Sequence, residues 1–421
     1  MKTTAVRLYG KDDLRLETFE LPPIKDDEVQ VKVMTDSICM SSYKAAKQGG
    51  DHKRVPDNVA ENPVMIGHEF SGVITQVGKK WQDKFKEGQN FVIQPAHNYK
   101  GSLMAPGYSY PYCGGDATYC NIPMEIMETD CLLPWESDVY FHGSLAEPLS
   151  CVIGAFRAQY HTKVGTYEHE MGIVEGGKMA MLASVGPMGL AAIELAIHGP
   201  KKPGLLVITD INQERLDRAA SIYTVEEAKK QGIEIVYLNT GEIDDPVGKM
   251  MEISGGTGFD DVFVFAPVKP VVEQGDAILA RDGCLNFFAG PTDPEFRATM
   301  NFYNVHYGAT HVVGTTGGNN EDMRIAVELM GKGMLDPSPL VTHIGGLKAV
   351  AETTLNLPNI PGGKKLIYPH IDIPLTALDD FAEKGKEDPV FAALAEITEK
   401  HNGLWSAEAE KYLLEHCEEI A

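Results

Sequence analysis

The chain has 421 residues, 43% of them hydrophobic and 23% charged, which suits a packed globular protein and is longer than one core usually grows, so two domains are expected. A net charge of −23, with no lysine or arginine stripe to reverse it locally, makes nucleic acid a poor partner. Seven cysteines, at 39, 113, 120, 131, 151, 284 and 417, form no disulfide framework and fit reduced thiols in a cytoplasmic protein.

The opening MKTTAVRLYG lacks the apolar core and small-residue cleavage site of a secretory signal. Short β-type runs follow at 29–33, 70–77 and 91–94, punctuated by turns, and predict a mainly β first domain. Residues 147–160 carry apolar side chains at helical spacing and read as a connecting helix opened by Glu147. The rhythm then changes. Strands are expected at 178–183, 205–209, 262–265 and 284–288, with helices at 189–197 and from 214, an alternation that implies a parallel sheet covered on both faces. The longest apolar stretch, 179–197, contains Gly186, Pro187, Gly189 and Glu194, so it reads as strand, turn and helix and not as a membrane span. Beyond residue 300 the chain is expected to return to the first domain and end in helices over 377–421. The expected boundaries are 1–155 with 305–421 for one domain and 156–304 for the other.

Between the strand at 178–183 and the helix after it lies Ser184-Val185-Gly186-Pro187-Met188-Gly189. Gly186 lets the backbone approach a pyrophosphate, and Gly189 lets the helix pack closely on the strand; Ser184 replaces the first glycine of the dinucleotide fingerprint. Asp210 ends the next strand at about the 20-residue spacing from which a carboxylate reaches the adenosine ribose hydroxyls, and its charge favours NAD over NADP. A helix N-cap is the competing reading of Asp210.

Cys39, His68, Glu69 and Glu147 are the candidate metal ligands, since a catalytic zinc takes three N, S or O donors and leaves one position open. Taken singly each has a plain structural reading: a buried thiol, a satisfied histidine beside a strand, a carboxylate at a helix N-terminus. Taken in order, Cys39-x-Ser41, Gly67-His68-Glu69, Glu147-Pro148-Leu149, the glycine turn and Asp210 resemble the zinc-containing medium-chain dehydrogenases, particularly the polyol dehydrogenases. Gly331-Lys332-Gly333, Val341-Thr342-His343 and Gly363-Lys364 extend the likeness over roughly residues 1–370.

The resemblance implies an α/β protein made of a GroES-like, mainly β catalytic domain and a Rossmann domain with a doubly wound parallel sheet. It implies one catalytic zinc on Cys39, His68 and a carboxylate, with Glu69 and Glu147 both open as the third ligand. Many members carry a second, structural zinc on four cysteines near residues 90–115; only Cys113 stands there, so one zinc per chain is expected. NAD(H), with NADP(H) as the alternative, is the implied cofactor. A small-molecule polyol or sugar phosphate is the implied substrate, and a homodimer or homotetramer the implied assembly. Ser41 stands where the family has the hydroxyl that takes up the released proton, and Lys44 replaces a histidine of that relay. Lys44 either relays protons, holds an anionic group of the substrate together with Lys47 or Arg54, or is solvated. The segments SICMSSYK and 111–116 and the long tail look most like a branch that reduces a ketose phosphate, which implies L-sorbose 1-phosphate and D-glucitol 6-phosphate as the substrate pair. A dehydrogenase of an unphosphorylated polyol or sugar acid, and a catalytically silent NAD-binding protein, are the alternatives.

Overall fold

The computed structural model describes residues 1–420, which form two compact units: 1–147 with 319–331 and from 336 onward, and 148–318 with 332–335. The sequence reading drew these lines at 155/156 and 304/305. The second falls later because strand His311–Val313 pairs with Leu279–Phe287 and takes its surroundings into the second unit, and the first falls inside the helix Tyr140–Ala158, between Glu147 and Pro148. Among the described residues no helix is long and apolar enough to cross a membrane.

The first unit holds an eight-stranded sheet. Its order runs Thr376–Ala377, Val341–Gly346, Lys364–Tyr368, Val29–Ile38 (β1), Phe70–Val77 (β2), Asn90–Ile93 and Leu132–Pro134, with Tyr119–Ile122 also pairing with β1. The alternating Val29, Val31 and Val33 of β1 are fully buried, as period-2 burial against a core requires. A second sheet of three strands orders Asp13–Glu20, Lys2–Gly10 and Val64–Met65. Helix Met40–Gln48 (α1) follows β1 directly, and helix Tyr140–Ala158 (α2) runs across the boundary into the second unit.

The helical tail expected over 377–421 is present as Phe381–Lys384, Pro389–Lys400 and Ala407–His416. It is anchored in the first unit's core. Trp405, fully buried, donates from Nε1 to the Tyr368 hydroxyl at 2.9 Å, and that hydroxyl donates to Glu410 Oε1 at 3.0 Å. Glu410 accepts in turn from the amides of Tyr140 and Phe141, at 2.7 and 2.8 Å, so a tail carboxylate caps the start of α2.

The second unit has six parallel strands, ordered Glu234–Asn239, Leu205–Asp210, Lys178–Leu182, Phe259–Val264, Leu279–Phe287 and His311–Val313. Numbered along the chain this is 3-2-1-4-5-6, the doubly wound dinucleotide-binding order. The apolar stretch at 179–197 resolves into strand Lys178–Leu182 (β3), a turn and helix Pro187–His198 (α3).

Candidate metal centre and nucleotide turn

The end of β1 lies between two neighbours, Asp36 opposite Phe70 on one side and Ile38 opposite Lys365 on the other. The residues just beyond these pairings therefore converge: Cys39 after β1, His68 and Glu69 before β2, and Lys364 before Lys365. One donor atom each from Cys39, His68 and Glu69 lies within 4.8 Å of the others. Gly67 makes the approach possible. Its φ is +88°, and a Cβ there would collide with the Asp36 carboxylate and the Asp116 amide. Asp36 Oδ1 accepts from the amides of Ser37 and Glu69 at 2.8 and 3.0 Å, tying the two strands together behind the donors.

Cys39 is the N-cap residue of α1, but its thiol makes no capping bond and is left to the cluster. The His68 ring is fixed on both sides, with Ser42 Oγ 3.3 Å from Nδ1 and Ser41 Oγ 3.3 Å from Nε2. A proton donated from Nδ1 to Ser42 leaves the Nε2 lone pair facing the cluster. Glu147, expected to open the connecting helix, lies inside α2 and is followed by Pro148 within the same helix. The helix-terminus reading of Glu147 therefore does not apply. Glu147 lies outside the cluster of three donors, yet its carboxyl feels all of them.

Lys364, in sequence only the lysine of Gly363-Lys364, is a central residue of the site. Its Nζ, buried with Glu69, donates to Glu69 Oε1 and Oε2 at 2.6 and 2.5 Å, and Ser37 Oγ also donates to Glu69 Oε2. Burial opposes ionisation of Glu69, but Lys364 and His68 outweigh it and hold the carboxyl below its usual range. Burial and Glu69 raise the Cys39 thiol, and burial and Glu69 push Glu147 up to about 7. Two carboxyls and a thiol thus share a buried space in which one lysine balances one charge. A divalent cation there would favour the charged form of each of these acids, opposing the upward shifts of Cys39 and Glu147, and a thiolate, an imidazole and a carboxylate are donors that zinc accepts.

Ser41 Oγ donates to Cys39 Sγ at 3.1 Å and accepts from the Tyr108 hydroxyl at 2.8 Å. Tyr108 carries no sequence signal of this role, since its segment stands out only for the cysteines it lacks. Its hydroxyl also lies 3.3 Å from His68 Nε2, and its ring centroid is 4.9 Å from that of His68. Lys44 lies half-buried on α1, close enough for its charge to act on His52. Lys47 is not near the cluster's chemistry: it is exposed and paired with Asp12 at 2.6 Å.

In the second unit, Gly186 is the N-cap of α3 and Pro187 its first residue, where a missing N–H costs nothing. A Cβ on Gly189 would collide with the Ser184 carbonyl, so the expected close packing of helix on turn is present. Beside Gly186 a Cβ would meet nothing within 4 Å, which leaves the open space a pyrophosphate needs. Ser184 is buried and donates from Oγ to the Met181 carbonyl at 3.0 Å. The strained residue of the turn is its predecessor, Ala183, at φ +53°. Val185 is buried and Met188 half-buried. Asp210 Oδ1 accepts from the amides of Ile211 and Asn212 at 2.9 and 3.1 Å. The helix that follows is capped by Asn212 and not by Asp210, so the capping alternative for Asp210 falls away.

The family described as zinc-binding dehydrogenase matches residues 187–332, and the alcohol dehydrogenase GroES-like domain matches residues 25–134. The chain is 53% identical over 414 residues to mannitol-1-phosphate 5-dehydrogenase of Aliivibrio fischeri, covering 98% of each chain. It is also 53% identical over 418 residues to L-sorbose 1-phosphate reductase of Klebsiella pneumoniae, covering 99% of this chain and 98% of that one. Among solved structures, 2R,3R-butanediol dehydrogenase from Bacillus subtilis is similar with a TM-score of 0.70 at 23% identity, over 87% of this chain and 99% of that one.

Proposed function

The chain belongs to the zinc-binding alcohol dehydrogenase family, and from that premise we propose that it interconverts a secondary alcohol and a ketone on a polyol or sugar phosphate, using zinc and NAD(H). The observation that carries the reading is the cluster of Cys39, His68 and Glu69 in a chain 53% identical, over nearly its full length, to two enzymes named for hexose-derived phosphates. L-sorbose 1-phosphate with D-glucitol 6-phosphate is the leading pair. Mannitol 1-phosphate is the second, because the relative named for it is equally similar.

In this reading Cys39, His68 and Glu69 would hold the zinc, with the buried Glu147 carboxyl beside them. Zinc supplies a Lewis acid that makes a substrate hydroxyl more acidic or polarises a carbonyl, and nicotinamide supplies the hydride acceptor or donor. The chain's own part is positioning and proton handling. Lys364 keeps Glu69 ionised, Ser42 fixes the His68 ring, and Ser41 and Tyr108 offer a connected pair of hydroxyls beside the Cys39 sulfur. Glu147 is a buried carboxyl whose charge interacts with Cys39, His68, Glu69 and Lys364, which makes it a further member of the site. Lys44 stands on the helix that follows Cys39 and serves either this proton path or an anion on the substrate. In the second unit the turn Ser184-Val185-Gly186-Pro187-Met188-Gly189 takes the pyrophosphate and Asp210 the ribose hydroxyls, which favours NAD over NADP. We place the protein in the cytoplasm, a reading supported by its free cysteines, as a homodimer or homotetramer.

The test is turnover of D-glucitol 6-phosphate, mannitol 1-phosphate, D-glucitol and mannitol with NAD, followed by the absorbance of reduced cofactor. A kcat/KM for either phosphate well above that of its parent hexitol is expected. Equal values for ester and parent, or no turnover of any of them by zinc-loaded protein, would overturn the reading.

A further inference from the structure

Arg54 is a cation without an anion. In a chain with 60 acidic and 37 basic residues, the guanidinium groups of Arg7, Arg15 and Arg297 each meet a carboxylate. The half-buried Arg54 meets none among the described residues: Nη1 donates to the Leu103 carbonyl at 3.1 Å, and its other side-chain donors have no protein partner. A guanidinium carries five N–H donors, and withdrawing it from water without a counter-charge is costly unless something else supplies one.

Its backbone is clamped. The Arg54 amide donates to His52 Nδ1 at 3.3 Å, and its carbonyl accepts from Ser109 Oγ at 2.6 Å, which fastens residues 52–54 to the segment that carries Tyr108. The His52 ring stacks on the Tyr108 ring at 5.7 Å and 12°, and Arg54 Cζ lies 5.8 Å from the same ring's centroid. The Tyr108 hydroxyl at the other end of that ring is the one bonded to Ser41 beside His68 and Cys39. One aromatic ring therefore separates the guanidinium from the metal-binding cluster. The ground around it is electropositive: after burial, Arg54, Lys53 and Lys44 are what depress His52 to about 4, and no acidic group acts on it. Burial and then Arg54 depress His97 likewise. His52 is accordingly a neutral imidazole at physiological pH, able to accept or donate a hydrogen bond.

We propose that Arg54 is the anchor of a phosphate-monoester subsite, with His52 and Lys44 on its flanks, which holds the phosphate of the substrate while the reacting carbon lies at the metal-binding cluster. The subsite rests on the functional reading above and specifies where its phosphate binds. It also explains how a protein of net charge −23 receives an anion: its long-range field opposes the encounter, so a local cation must supply the attraction. A guanidinium suits the task because its fork bonds two phosphate oxygens at once.

The experiment compares Arg54→Leu and Arg54→Lys with the unaltered zinc-loaded enzyme. It measures KM and kcat for the better hexitol phosphate and its parent hexitol, zinc content, and inhibition by inorganic phosphate. Arg54→Leu is expected to raise KM for the ester about 10- to 100-fold, the loss of one or two charge-assisted bonds. The hexitol KM should move far less, Arg54→Lys should recover part of the loss, and competitive inhibition by inorganic phosphate should weaken in parallel. If Arg54→Leu does not fold, Arg54→Lys and the phosphate inhibition carry the test. A KM that rises alike for ester and hexitol, zinc loss that accounts for the change, or unaltered phosphate inhibition would overturn the subsite. An unaltered enzyme that prefers the ester while both variants keep that preference undiminished rejects the subsite alone; one that does not prefer the ester rejects the functional reading itself.

Discussion

The two candidate sites are built in opposite ways. The nucleotide turn is written into seven consecutive residues, 183–189, and one carboxylate at the end of the next strand, Asp210, all within a single β-α-β stretch. The metal-binding cluster draws on residues 37, 39, 68, 69 and 364, which the sheet pairings of β1 bring together, and on Tyr108 from a loop and Glu147 from α2. The contrast teaches where each site is fragile. A backbone cradle depends on local shape, whereas a cluster of buried charges depends on distant elements agreeing on one arrangement.

The largest effect should come from the cluster. Cys39→Ser replaces the soft donor and is expected to remove tightly held zinc and lower kcat/KM by roughly 1,000-fold or more while circular dichroism stays native, since the thiol supports no helix cap. Elemental analysis of the unaltered protein should give one zinc per chain; a variant that keeps its zinc and its turnover would remove Cys39 from the centre. Lys364→Met should come next. Breaking a buried ion pair costs about 3–5 kcal/mol because the partner charge is stranded, so chemical denaturation of the zinc-free variant should show a loss of that order. Bound zinc supplies a replacement charge, so the loss should shrink when zinc is restored; an equal loss with and without metal would separate Lys364 from the cluster.

Asp210→Ala tests the local site. Removing the ribose bonds and the charge should weaken NAD by ~1.5–3 kcal/mol and narrow the gap to NADP, with zinc content untouched. An unaltered enzyme with higher kcat/KM on NADP than on NAD would show that Asp210 does not read the ribose. The last effect concerns Glu410, whose carboxyl burial pushes up to about 7. A carboxyl with a raised folded pKa contributes stability that is fully present below its ordinary value near 4.5 and is lost as pH rises through 7. Against Glu410→Gln, which does not titrate, the unaltered protein should therefore lose on the order of 2–3 kcal/mol between pH 4.5 and 7. Parallel stability curves for the two proteins would contradict this.

The sequence by itself determined the β-rich first region, the strand and helix rhythm of the second, the turn at 183–189 and the identities of Cys39, His68, Glu69 and Glu147 as ligand candidates. Periodicity and glycine chemistry act between near neighbours, so they can be read along a line. The misreadings lie where the line bends. Periodicity predicts a helix start at Glu147, where the apolar pattern strengthens, but α2 begins at Tyr140, where Glu410, far along the chain, accepts its first amides. Ser184 stands at the fingerprint's first glycine, yet the positive φ falls on Ala183. Lys364, Tyr108 and Arg54 carried no local signal of their roles, because a lysine beside a glycine, a tyrosine in a loop and an unpaired arginine are common in any sequence. Only the tertiary structure decided that Lys364 balances Glu69, that Tyr108 meets Ser41 and His68, and that Arg54 is left without a carboxylate, because charge compensation and burial are properties of neighbours in space, and strand pairing between residues about 300 apart selects those neighbours.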